Sequence, residues 1–420
     1  MERKVAIVGW AQSPIVERDE RIHKTEMIGR TVQAALDKSG LSIGDIGTVI
    51  SASCDTMDGA SISNVFVVES MGGFMKEESK VEEDGAYAAL YAYLRLLTGH
   101  HKTALIVAHG RVDTTPQFYS WMMTDPFLLR PLGVEMVSAF ALQARSYLSR
   151  YNLDERPAAK VVVKNRANGV KNPNTQVRIP ISEAEVLKSP VLASPIKLAD
   201  ASPRSEGACA LILANSDLAR KITPDPVWIE GVGYNHDLYY LGHRDLARPE
   251  SLARAAQMAY AQAGIRNPRK GTDFAEVYEP FSFSELMLYE GLGLAEPGEG
   301  RKLVEKGIVN LDGAYPVNAS GGALCGNPIF VAGLIRMVEA ARQLTGQAGE
   351  YQIKKDIRRG LVHATSGFCL QSNIVYVLGR DEAKPKPVKA KRQVKVKKTR
   401  KAAKKAASRK PVRRKKAGRR

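Results

Sequence analysis

Apolar residues along this chain alternate between two periods, and the same succession of periods occurs twice. An apolar run, Val5-Ala-Ile-Val-Gly9, comes near the start, and Trp228-Ile-Glu-Gly-Val-Gly233 resumes the pattern, with Gly9 and Gly233 set 224 residues apart. Both runs predict buried strands. Behind the first, Ile28, Val32, Ala35 and Leu36 fall at i, i+4, i+7 and i+8, which predicts an amphipathic helix closing at Gly40. Behind the second, Leu252, Ala255, Ala256, Met258 and Ala259 predict a helix closing at Gly264, again 224 residues on. An Asp in a loop follows each helix (Asp45, Asp273), and then an extended run, Thr48-Val-Ile50 or Ala275-Glu-Val-Tyr278. Self-similarity at a fixed offset predicts a duplication.

Both copies also end alike, in a glycine-bearing turn, an apolar helix and a buried strand. In the first these are Asp84-Gly85, Ala86 to Leu97, and Ala104 to Ala108; in the second, Gly326-Asn-Pro328, Ile329 to Leu344, and Gly360-Leu-Val362. The turn of the second copy belongs to a stretch with three glycines, Tyr315-Pro-Val-Asn-Ala-Ser-Gly-Gly-Ala-Leu-Cys-Gly-Asn-Pro328. Such a loop lets backbone approach a ligand closely ahead of a positive helix end, so Ser320, Gly321, Gly322 and Gly326 are candidate ligand-binding positions. Between the copies, residues 114 to 194 are rich in Pro, aromatic and basic residues, with one amphipathic helix marked by Val137, Leu142, Tyr147 and Leu148. They predict an inserted loop domain, from which the chain returns at Glu206 to Leu213 as a strand buried on both faces. The expected organisation is an N-terminal half over 1–222 carrying the insertion, a C-terminal half over 223–381, and a tail over 382–420.

Composition changes this picture at one end only. Of 62 Lys and Arg residues, 20 lie from Ala383 to Arg420, which holds no Asp or Glu. The remainder has 42 basic against 44 acidic residues, so the formal charge of +18 belongs to the tail and not to the body. The tail's composition cannot bury a core, and disorder with weak, non-specific, salt-dependent binding to polyanions is expected of it. Four cysteines (Cys54, Cys209, Cys325, Cys369) without a CxxC pair argue against a zinc ribbon or disulfide scaffold, and no metal is expected. No apolar run approaches 18 residues and the first residues do not resemble a signal peptide, so a cytoplasmic protein without membrane insertion is expected.

The motifs resemble a known family. Asn318-Ala-Ser-Gly-Gly-Ala-Leu-Cys-Gly-Asn-Pro328, followed by an apolar helix to Gln343-Leu-Thr-Gly346, is similar to the NxSGG…GHP…QLRG block of thiolases of the archaeal and sterol-carrier-protein type. Glu276-Val-Tyr-Glu-Pro-Phe281 resembles their NEAF or HDCF motif, Ser194 to Ala214 a conserved-type strand of that group, and Gly360 to Gly367 their last active-site loop. The resemblance spans roughly residues 3 to 380. It implies an α/β fold of duplicated αβαβαββ halves in a five-layer sandwich, a loop domain over an acyl-CoA site, and a homodimer. Coenzyme A would enter as part of the substrate, with no separate cofactor.

At the positions that carry thiolase chemistry the residues differ. The nucleophilic cysteine's place falls near Glu82, within Val81-Glu-Glu-Asp-Gly85; the GHP histidine is Asn327, the oxyanion position Tyr278, and the second cysteine's place about Thr365. Thiolysis needs a thiolate, which Glu and Asn cannot supply. Glu82, Glu83 and Asp84 read either as an acidic first turn of a helix or as the source of a general base. Tyr278 reads as a core aromatic or as an acid/base and oxyanion donor, Asn327 as a donor to a thioester enolate, and His363 as the histidine nearest the site. Cys325 and Cys369 read as small buried hydrophobes. The leading expectation is retro-aldol cleavage or formation of a carbon–carbon bond beside a CoA thioester, similar to the steroid side-chain aldolase branch. The alternatives are a silent acyl-CoA-binding subunit, which like others in the family would pair with a small OB-fold and zinc-ribbon protein, and an acetyl-CoA acyltransferase with a displaced nucleophile.

Overall fold

The computed structural model describes residues 4–111 and 116–380, so the basic tail and its expected disorder lie outside the described residues. Nine strands form one mixed sheet: β1 (Val5–Gln12), β2 (Thr48–Ala52), β3 (Glu77–Val81), β4 (Thr103–Gly110), β5 (Gly207–Asn215), β6 (Val227–His236), β7 (Phe274–Val277), β8 (Arg359–Ser366) and β9 (Ser372–Gly379). Their order is β7-β8-β9-β6-β1-β5-β4-β2-β3. In each copy the first strand pairs antiparallel with the last, and the inner pair, β2 with β4 or β7 with β8, is parallel. Within the sheet the halves pair at Ala6 opposite Trp228 and Ile7 opposite Val227. Strand β3 extends the N-terminal edge, whereas the matching place beside β7 holds a single bridge, Ala275 to Val317.

Eight helices bear on the site: α1 (Lys24–Ser39), α2 (Gly85–Thr98), α3 (Pro116–Met122), α4 (Met136–Tyr151), α5 (Arg156–Gly169), α6 (Glu250–Ala263), α7 (Ser282–Gly291) and α8 (Ala332–Leu344). The equivalent helices α1 and α6 end at Gly40 (φ 67°) and Gly264 (φ 68°), both left-handed, the conformation that favours glycine. The repeated strand glycines have a packing reason: a Cβ on Gly9 would lie 3.2 Å from Ala35 O, and one on Gly233 1.9 Å from Ala255 O. Each glycine thus seats an outer helix on its strand. Helices α2 and α8 lie in the middle, sharing one apolar cluster with Ile50, Ile106 and Leu211 from one half and Ile374 and Tyr376 from the other. Separate clusters lie under α1 and under α6. The layers therefore run helix, sheet, paired helices, sheet, helix.

Within the inserted segment, α4 buries Phe140, Ala144, Tyr147 and Leu148 against the C-terminal half, while Leu142, expected on the apolar face, is 54% exposed. Leu142 lies two positions from both Phe140 and Ala144, about 200° around the helix, so it points away from them. Helix α5 ties to α7 through Lys164 and Glu285, 2.7 Å apart and buried. Among the described residues no helix is long and apolar enough to cross a membrane.

Candidate functional site

Two helix N-termini meet at one carboxylate. Asp84 caps α2, its Oδ1 accepting from the Ala86 amide at 2.8 Å, and its Oδ2 accepts from the Gly333 amide of α8 at 2.9 Å. The Leu334 amide adds a third bond. Glycines make the meeting possible: a Cβ on Gly333 would lie 2.2 Å from Asp84 Oδ1, and one on Gly85 2.8 Å from Leu334 Cβ. Burial pushes the Asp84 carboxyl up to about 6 while the amides oppose it, so it is charged at neutral pH between two positive helix ends. Asp84→Ala strands these buried donors and should lower the unfolding free energy by about 2–4 kcal/mol. A denaturant midpoint equal to the parent's would contradict the capping role.

Asp84 also lines a cavity of about 410 Å3 with Tyr278, Asn327 and Thr365, its remaining wall largely apolar (Met136, Phe140, Phe281). Tyr278 follows β7 and is fixed by its amide, which donates to His363 O at 3.1 Å. Burial first, and the Asp84 charge second, hold its hydroxyl far above the ordinary phenol range. It is a neutral hydrogen-bond donor at working pH. Asn327 faces Tyr278 and donates from Nδ2 to Ser202 Oγ at 2.8 Å, while its Oδ1 is buried without a hydrogen-bond partner among the described residues. Nδ2 keeps a second hydrogen beside this open acceptor, so Asn327 offers both a donor and an acceptor next to Tyr278.

A second cavity of about 380 Å3 shares Tyr119, Phe330, Ser366 and Gly367 with the first and is lined by Glu82, Glu83, Cys54 and His236. The acidic run is therefore divided, with Asp84 facing the first cavity and Glu82 and Glu83 the second. Glu82 is exposed, accepts from the Asp55 amide at 2.6 Å and pairs with Lys80 at 2.9 Å. Glu83 has no hydrogen bond or ion pair among the described residues, and burial, then the Asp84 charge, pushes its carboxyl up to about 7. Of the three, it is the carboxylate with no other task.

Other expected positions lie elsewhere. His363 is fully buried on β8, its Nε2 2.9 Å from Asn373 Oδ1, pushed down to about 4 by burial, and it lines neither cavity. Its backbone, not its ring, serves Tyr278. Thr365 reaches the first cavity but spends its hydroxyl on Ser372 O at 2.9 Å. Burial pushes the thiols of Cys325 and Cys369 up to about 12 and of Cys54 to about 11, so none supplies a thiolate. Cys54 alone of the four lines either cavity.

The glycine-rich loop reaches the first cavity at Asn327, but its glycines and Ser320 do not. Ser320, Gly321, Gly322 and Gly326 are buried behind it and belong to neither lining. Ser320 Oγ donates to Glu276 Oε2 at 2.6 Å and accepts from Arg336 Nη1 at 2.7 Å. A Cβ on Gly322 would lie 2.0 Å from Glu279 Oε1, and one on Gly321 2.8 Å from Gly169 Cα. The glycines admit the chain's own groups rather than a ligand. Around them Asn318 and Asn165 amides bridge Glu279 and Glu285, and burial, then Glu285, raises Glu279 to about 8.

Residues absent from the sequence reading are Tyr119 and Phe330. Tyr119 sits on α3, outside every motif, and Phe330 was within the run expected to be helical from Ile329. The helix begins at Ala332 because Phe330 is left-handed (φ 71°), its carbonyl accepting from the Gly85 amide at 2.8 Å.

Comparison with known proteins gives a consistent result. Residues 233–380 match the family model described as thiolase C-terminal domain-like. The chain is 28% identical over 393 residues to an acetyl-CoA acetyltransferase of Methanothermobacter thermautotrophicus, covering 87% of this chain and 97% of that one. It is 29% identical over 244 residues to sterol carrier protein 2 of Bos taurus, covering 55% of this chain and 44% of that protein. The solved structure of an Ltp2-ChsH2(DUF35) aldolase superposes with a TM-score of 0.76 at 22% identity, over 90% of this chain and 98% of that one.

Proposed function

Because the chain is a thiolase-superfamily protein of the sterol-carrier-protein type whose Tyr278 cavity is lined by no cysteine, we propose that it cleaves or forms a carbon–carbon bond beside a coenzyme A thioester by retro-aldol chemistry. The observation that carries this reading is a buried neutral phenol, Tyr278, in a cavity that adjoins an unpaired carboxyl of raised pKa, Glu83. In the cleaving direction the Glu83 carboxylate takes the proton of a β-hydroxyl. The β-carbon becomes a carbonyl as the bond to the α-carbon breaks, and its electron pair enters the thioester as an enolate. Tyr278 O–H donates to the enolate oxygen, where the negative charge collects. The proton on Glu83 passes to the α-carbon, giving an acyl-CoA shortened by the departing ketone or aldehyde. Asp84 helps keep Tyr278 protonated, and Asn327 Oδ1 offers an acceptor to a substrate hydroxyl or amide.

Incubation with β-hydroxyacyl-CoA thioesters branched at the β-carbon tests the reading. A shorter acyl-CoA and a free carbonyl compound should appear, and no acyl group should become attached to the protein. The aldolase relative is named as a pair of components, which supports repeating the assay with a small OB-fold and zinc-ribbon protein. Absence of turnover in both assays would overturn the enzymatic reading in favour of a silent acyl-CoA-binding subunit.

A further inference from the structure

The two cavities differ in character, and what separates them is unusual. The first is largely apolar, walled by side chains of α4 and the β7–α7 turn with Asp84, Glu135 and Arg204 among them; the second carries Glu82, Glu83, Thr56, His236 and Gln371. Between them Tyr119 and Phe330 stack edge to face, ring centroids 5.9 Å apart at 83°. Phe330 holds this place in a left-handed backbone that a bulky side chain rarely adopts and that costs on the order of 1–2 kcal/mol. A strained aromatic kept at a junction of two cavities is a strain the surrounding structure imposes through the Gly85 amide. Tyr119 touches the electrostatics of both sides, since burial and then Cys54, Tyr278, Glu82 and Glu83 raise its hydroxyl well above the ordinary range.

Resting on the retro-aldol reading, we propose that the Glu83 cavity is a separate chamber for the carbonyl-product half of the substrate, and that Phe330 with Tyr119 is the partition that sets the size of the group accepted on the β-carbon. The thioester and its α-carbon lie in the Tyr278 chamber, the β-carbon lies at the partition beside Ser366 and Gly367, and the breaking bond crosses between them. This division explains why the proton acceptor and the enolate donor face different cavities. It also separates the products as they form, the acyl-CoA on one side and the ketone or aldehyde on the other.

The test compares binding of butyryl-CoA and 3-cyclohexylpropanoyl-CoA, which lack the hydroxyl and cannot be cleaved, to the full chain by calorimetry. Phe330→Gly removes the ring and suits a left-handed backbone, so it keeps the fold; Phe330→Leu is the second variant if glycine loosens the segment. Removal of the ring should tighten the cyclohexyl thioester relative to butyryl-CoA by about tenfold or more, as apolar area is buried in the merged space. Binding of both thioesters with an unchanged ratio would overturn the partition alone. Binding of neither to any form of the protein would overturn the acyl-CoA reading and the partition with it.

Discussion

Tyr278→Phe should lower turnover by about 10² to 10⁴ while acyl-CoA affinity changes by about threefold or less. The phenol is buried, so its ring supports the cavity in either form and the variant removes a single oxygen. In the resting thioester that hydroxyl faces a weak acceptor; in the enolate it faces a full negative charge. The interaction therefore strengthens toward the transition state, which places the loss in kcat rather than in binding. The check is steady-state kinetics beside calorimetric affinity. A fall in affinity that accounts for the whole loss would assign Tyr278 to substrate packing.

Glu83→Gln should have a comparable effect and a different signature. The carboxyl is pushed up to about 7 by burial and by Asp84, and a general base works only when ionised. In the parent, kcat/KM should rise as pH rises through about 7 and level off above it. Glutamine keeps the size and removes the titration, so the residual activity of the variant should be flat across that range. Glu82→Gln should leave the profile in place, because Glu82 is exposed and tied to Lys80 and the Asp55 amide. A rising limb that survives in Glu83→Gln would assign the base elsewhere.

Much of the fold was readable because duplication doubles each signal. Gly9 with Gly233 and Gly40 with Gly264 recur at one offset, and each does the same physical work in both halves, seating a helix or ending one. The helix after Asp84-Gly85 was readable from its apolar run, but the acidic first turn was not there: Asp84 is the cap and no acidic residue lies in the first turn. The site was less so. A loop with three glycines looks the same in sequence whether it admits a ligand or a buried carboxylate, and here Glu279 occupies the space beside Gly322. The run Glu82-Glu83-Asp84 gave no sign of which carboxylate faces which cavity, since a turn ahead of a helix sends successive side chains in different directions. His363 lay in a motif-like loop but alternates inward on β8, where burial outweighs its chemistry. Tyr119 and Phe330 meet only through tertiary packing, and no spacing along the chain announces them.

Cleavage carried out in deuterated water tests the central claim most directly. The proton leaving the β-hydroxyl reaches the α-carbon by way of Glu83, whose carboxyl exchanges with solvent. Mass spectrometry of the products should therefore show a shortened acyl-CoA carrying one deuterium at the α-carbon, a free ketone or aldehyde, and unmodified protein. An acyl group attached to any of the four cysteines, or a product acyl-CoA with no deuterium, would contradict it.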